Sequence, residues 1–172
     1  LARMGLLKAD AKGNVTEWKA YCRSNAMSSL IYLHDPNDKE TYDYLYSELK
    51  KLRDEGIYGI SEVFTRDETR EKEHLDGDFA FCIESDGYTS YSDSCREPLL
   101  APLDLTDFRF GHATHGYLPE KGPRPVFCAK GPHIRAGAVV EGGSIVNEAP
   151  TYAKLLGVDL PDAQGTPLDV LE

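Results

Sequence analysis

The sequence has no apolar run of the roughly 18–20 residues that a membrane-spanning helix needs. It also shows no charged leader followed by an apolar stretch and a small-residue cleavage site. Positive charge is scarce: 19 Lys and Arg face 29 Asp and Glu, for a net charge of −10. So acidic a surface repels a phosphate backbone, which argues against nonspecific nucleic-acid binding. An anionic substrate would need a local positive centre such as a metal ion. The four cysteines, Cys22, Cys82, Cys95 and Cys128, form no C-x-x-C pair, which excludes the usual zinc and redox motifs. Cys82 and Cys128 sit in apolar runs, where a thiol packs as a small hydrophobe. Free thiols are expected rather than a disulfide framework, which favours the cytoplasm. No Gly-x-Ser-x-Gly, no Walker-type phosphate loop and no H-E-x-x-H occurs. With no internal repeat, low-complexity segment or long linker, residues 1–172 read as a single domain.

What is present suffices for a real core: 41% of the residues are hydrophobic. The opening Leu1-Ala2-Arg3-Met4-Gly5-Leu6-Leu7 reads as the last turn of an apolar helix. A chain that opens inside an element is expected to have been cut from a longer one, with room for a leader upstream. Residues 18–21 and 29–33 (SLIYL) predict short strands. Residues 37–55 predict the clearest helix, capped by Asn37 with Glu40 completing a capping box. Tyr42, Leu45, Leu49 and Leu52 share one face of it, and Gly56 stops it. Thr65 and Glu68 form a second capping box, opening a polar helix to about Glu73. Residues 79–84 (FAFCIE) predict a buried strand, and residues 88–91 a further one. Residues 93–125 are rich in Pro, Gly and Asp, a long irregular stretch of the kind that carries function. Residues 126–129 (VFCA) predict another strand. Asn147 is expected to cap a last helix through Leu156, with Pro150 tolerated in its first turn and Gly157 closing it. Alternating strands and helices predict an α/β layered fold, a short mixed sheet with flanking helices.

The irregular stretch holds Phe110-Gly111-His112-Ala113-Thr114-His115-Gly116-Tyr117. Histidine is the commonest zinc ligand, and Gly116 would let the backbone turn sharply and approach a metal or substrate. On residue type alone, two histidines three apart are more often exposed polar residues than ligands. A catalytic zinc also needs three protein ligands, which this chain does not offer. His34, His74 and His133 read as turn, charged-surface and turn residues. Ser90, Ser92 and Ser94 have no adjacent base, and Asp76 and Asp78 read as solvated loop acids.

The order of segments does resemble a known family. Ala113-Thr114-His115-Gly116-Tyr117-Leu118-Pro119 resembles the T-H-G-Y-x-P segment of the type I phosphodiesterase/nucleotide pyrophosphatase branch of the alkaline phosphatase superfamily. Phe127-Cys128-Ala129-Lys130-Gly131-Pro132 follows, similar to its F-x-A-x-G-P. The stretch from Ile145 to Val158 is similar to its closing D-x-A-P-T-x-A-x-L-L-G-V helix, with Asn147 in place of the usual acid. Leu160-Pro161-Asp162-Ala163-Gln164-Gly165-Thr166-Pro167-Leu168 is similar to its L-P-x-x-x-G-x-P-L tail. The resemblance spans the chain, specific in the last third and loose before it.

It implies a partial alkaline-phosphatase-like fold and a hydrolase with two zinc ions and a Thr or Ser nucleophile. The family's T-H-G-Y histidine ligates zinc, a role the resemblance assigns to His115. His112 falls where the family need not have histidine and stays a neighbouring candidate. The nucleophile, the Asp-His-Gly motif and the other ligands come earlier in the family's chains. Here they would lie upstream of Leu1. Alone, the 172 residues are therefore expected to be inactive and to hold zinc poorly. The implied partners are a phosphate-ester or nucleotide-type substrate and the missing N-terminal part, with self-association through the cut surface. The alternatives are a non-catalytic interaction domain, or a phosphomonoesterase, phosphonate hydrolase or sulfatase of the same superfamily.

Overall fold

The computed structural model describes residues 1–102, 106 and 113–172. They divide into two compact units, Leu1–Arg124 and Pro125–Glu172.

In the first unit, β1 (Leu7–Ala9) and β2 (Val15–Trp18) form an antiparallel hairpin. Asp10 organises its turn, its carboxylate accepting the N–H groups of Lys12 at 2.8 Å and Asn14 at 2.9 Å. The residues before β1 form hydrogen-bonded turns, not the expected helix end: Met4 N–H bonds Leu1 O and Gly5 N–H bonds Ala2 O. Leu6 then drops into the core.

The main sheet has four strands in the order β3 (Ala20–Asn25), β4 (Ser28–Leu33), β6 (Phe81–Ser85), β5 (Ile60–Thr65). Every neighbouring pair is antiparallel. The expected mixed α/β class holds, and the pairing has a clear origin. The helix α1 (Lys39–Glu55) carries the chain from β4 to β5, which run in the same direction. The later strand β6 pairs between them, so the helical crossover joins strands that never touch. Residues 26–27 connect β3 to β4 in a tight turn, with Ala26 at φ 60°.

Because side chains alternate across a strand, Ala20, Ile31, Leu33, Val63, Phe81 and Ile83 share one face. They form a single core with Leu45 and Leu49 of α1. The rings of Tyr42 and Tyr46 lie 4.5 and 5.4 Å from that of Phe81. Each such side chain contributes about 1.5–3 kcal/mol on full burial. The cap of α1 is Asp38, one residue later than expected. Its carboxylate accepts Thr41 N–H at 3.0 Å and the Thr41 hydroxyl at 2.6 Å, whereas Asn37 N–H is tied back to Asp35. Gly56 closes α1 at φ 69°. The Thr65–Glu68 capping box forms as expected and opens α2 (Arg66–Glu73). The strand predicted over residues 88–91 is instead a loop on Asp86, which accepts the N–H groups of Tyr88 and Thr89.

In the second unit α3 (Glu148–Leu156) is the one α-helix among the described residues, closed by Gly157 at φ 67°. Asn147 does not cap it through its side chain. Its carbonyl accepts the Thr151 hydroxyl at 2.6 Å, and its Oδ1 accepts Thr166 N–H at 3.3 Å. Thr151, fully buried, accepts Leu168 N–H at 2.8 Å. The chain end is tied to residues 134–135 by an isolated bridge, Ile134 to Leu171, and by Arg135 N–H on Val170 O. The strand predicted over residues 126–129 has no sheet partner among the described residues, and Val126 is 87% exposed.

Candidate metal centre

Strand alternation sends Tyr21, Leu30, Tyr32, Phe64, Cys82 and Glu84 to the sheet face opposite α1. Toward β3 this face is aromatic, with Tyr21 stacked on Tyr32 at 5.0 Å and edge-on to Trp18 at 4.8 Å. At the Glu84 end it is crossed by the segment that carries His115.

That segment is fixed at successive points. The His115 carbonyl accepts Met27 N–H at 3.2 Å, while its side chain stands exposed. Gly116 follows at φ 78°, and a Cβ there would lie 1.8 Å from the carbonyl oxygen of Asn25. The close approach expected of this glycine is thus made to the β3–β4 hairpin, and no other residue fits. Leu118 N–H donates to Glu84 Oε1 at 2.8 Å. Lys121 Nζ donates to Ser61 Oγ at 2.6 Å and to the Ser85 carbonyl, and lies 3.4 Å from Glu84 Oε1. Ser61 stands at the register irregularity between Ile60 and Glu62, which aims it at Lys121.

Glu84 is the unusual member, a carboxylate only 3% exposed. Buried charges persist when paired and hydrogen-bonded, and Lys121 with Leu118 N–H supplies both. Removing one partner costs less than the roughly 3–5 kcal/mol of a fully buried pair, because the Lys121 side chain is 25% exposed and water reaches the site. Neither residue stood out in the sequence. The available signal was an acid closing an otherwise apolar strand, Phe81-Cys82-Ile83-Glu84.

Neighbouring groups are chemically quiet. Burial, reinforced by the Glu84 charge, pushes the Cys82 thiol up to about 12. Burial also raises the Tyr91 phenol, helped by Asp86 and Glu84, so it stays protonated and donates to the Gly59 carbonyl at 3.0 Å. Neither can act as a nucleophile near neutral pH.

The other histidines lie apart from this cluster. His34 packs edge-on to Trp18 at 4.6 Å, His74 caps α2 at φ 55°, and His133 occupies a turn of the second unit at φ 63°. His112 lies outside the described residues. Among the described residues no three His, Cys, Asp or Glu side chains group so as to hold a metal ion. His115 offers a candidate donor, an exposed imidazole on a backbone held at its carbonyl. No protein-family model, curated protein or solved structure matches the chain.

Proposed function

We propose that this chain is the C-terminal part of a zinc-dependent hydrolase of the phosphodiesterase/nucleotide pyrophosphatase type, with His115 as one zinc ligand. The observation that carries the reading is the Thr114-His115-Gly116-Tyr117 segment, whose backbone is held at the His115 carbonyl and again just after it, beside an exposed imidazole. A ligand must be held still while its ring reaches outward, and this arrangement meets both needs. The remaining ligands and the Thr or Ser nucleophile belong to the preceding part of the protein. Zinc bound there would supply charge stabilisation to a phosphate-ester substrate, which an acidic chain cannot provide. Residues 113–121 contribute one donor and part of the pocket wall, and the 172 residues alone are inactive.

The test is zinc-dependent hydrolysis of a phosphodiester and a phosphomonoester by the full-length gene product. The reading expects turnover that needs zinc, a preference for the diester, and loss of at least about a hundredfold in H115A, as for removal of a principal catalytic group. A monoester preference would move the protein to a phosphomonoesterase of the same superfamily. Undiminished turnover in H115A would overturn the ligand role.

A second reading, a non-catalytic interaction domain, draws on exposed apolar side chains in the second unit, including Val139 and Leu156 at 81% and 75% exposure. A full-length gene product lacking zinc-dependent hydrolysis altogether would favour it.

A further inference from the structure

We propose that Glu84 is a positioning residue for His115, acting through Leu118 N–H, and that Lys121 is the counter-charge that allows a carboxylate to do this in a buried place. The proposal rests on the reading of His115 as a zinc ligand and adds the group that aims it.

The segment from His115 to Lys121 has no regular element to fix it before the short 3₁₀ turn Pro119–Lys121. Its position therefore comes from what it touches. At His115 itself the anchor is backbone to backbone, Met27 N–H on His115 O. Gly116 sets how closely the chain lies on the hairpin, and any side chain there would push it off Asn25. Downstream a side chain takes over, Glu84, whose Oε1 takes Leu118 N–H at 2.8 Å. Two fixed points, at His115 and three residues later at Leu118, restrict the path of the backbone that leaves His115. Charge-assisted bonds to a backbone N–H are the stronger kind, so a carboxylate holds this point better than a neutral acceptor would in the open. In a buried place the same charge needs compensation. Lys121 provides it at 3.4 Å, tied in turn to Ser61 and to the Ser85 carbonyl. Lys121 follows His115 on the same segment, so the ion pair fastens that segment to β6 twice. A structural role alone explains why the charges are paired. It explains the Leu118 bond too, but it does not make zinc affinity follow that bond, and this separates the two accounts.

The test uses the full-length gene product with two doubly neutral variants, E84Q/K121M and E84L/K121M. Both remove the ion pair together, which is commonly neutral for stability, so both are expected to fold, E84L/K121M with the lower melting point because Leu118 N–H loses its acceptor. Only the glutamine keeps an oxygen for Leu118 N–H. Zinc affinity, read by chelator competition, is expected to stay within about threefold of wild type in E84Q/K121M. In E84L/K121M it should fall about 10- to 100-fold, the usual loss when support for a ligand is removed. Exchange of the Leu118 amide is expected to accelerate in E84L/K121M and not in E84Q/K121M. Wild-type zinc affinity in E84L/K121M, with H115A weakened, would overturn the positioning role and leave the ligand. Wild-type zinc affinity in H115A would remove the ligand itself, and with it any role of Glu84 toward zinc. The Leu118 exchange would then still report whether the latch exists.

Discussion

In Leu1–Arg124 the stabilising contacts are made by apolar side chains against a paired sheet, with Ala20, Leu45 and Phe81 fully buried. In Pro125–Glu172 they are made largely by polar atoms meeting backbone: Thr151 on Asn147 and Leu168, Asn147 on Thr166, and Arg135 on Asp169 and Val170. The second unit buries few large apolar side chains, while Ile145 is 74% exposed and Leu156 75%. A core of interdigitated hydrophobes tolerates exchange of one residue for another of similar volume. A hub of hydrogen bonds does not, because each atom has one suitable partner. Gly165 makes the same point sterically, since a Cβ there would lie 2.2 Å from the Val146 carbonyl oxygen.

The contrast can be broken by substitution. The largest effect is expected for Phe81→Ala, which empties the centre of the α1–sheet core and should cost about 3–5 kcal/mol in urea unfolding. A loss under about 1 kcal/mol would show that the core is not where the stability lies. Next is Thr151→Val, nearly isosteric, which strands Leu168 N–H without its acceptor. It should cost about 1–3 kcal/mol and speed exchange of the Leu168 amide. If Thr151→Val were silent, the polar hub would be incidental. Thr65→Ala removes the α2 cap for about 1 kcal/mol, read as reduced helicity and unfolding midpoint.

A pH series sharpens the same cap. The Glu68 carboxyl is held below its ordinary range by hydrogen bonds from Thr65, and the Asp38 carboxyl by those from Thr41. Their folded-state pKa values are depressed, so their contribution is whole above the ordinary carboxylate range near 4. It is lost as pH falls through the lower folded values. Glu68→Gln, which keeps an acceptor for Thr65 N–H but does not titrate, should therefore flatten part of the acid limb of the stability curve, and an unchanged limb would contradict the assignment. Ile145→Ala, on an exposed side chain, should stay within about 0.5 kcal/mol of wild type in the same urea titration. A larger loss would mean that Ile145 is covered in solution.

Elements set by local chemistry were legible in the sequence: the Thr65–Glu68 box, the Gly56 and Gly157 stops, and the apolar face of α1 carrying Leu45 and Leu49. Misplaced elements were those where a competing partner sits close by. Asp38 is the cap rather than Asn37 because its carboxylate accepts both Thr41 N–H and the Thr41 hydroxyl. Tyr88 and Tyr91 bracket Thr89-Ser90 in a way that suggests a strand, yet Asp86 takes the Tyr88 and Thr89 N–H groups and Ala26 O takes that of Tyr91. The insertion of β6 between β4 and β5 is a long-range choice that local periodicity does not encode. For the candidate site, His115 and Gly116 could be picked from the motif. Glu84 could not, because its importance comes from burial beside Lys121, and burial is a property of the assembled sheet.

The central claim concerns one imidazole, and the most direct measurement is anomalous diffraction at the zinc edge from crystals of the full-length gene product. The account predicts a zinc peak about 2.0–2.1 Å from a ring nitrogen of His115, with that site emptied in H115A. A zinc peak remote from His115, or a His115 ring hydrogen-bonded elsewhere while zinc is bound, would contradict it.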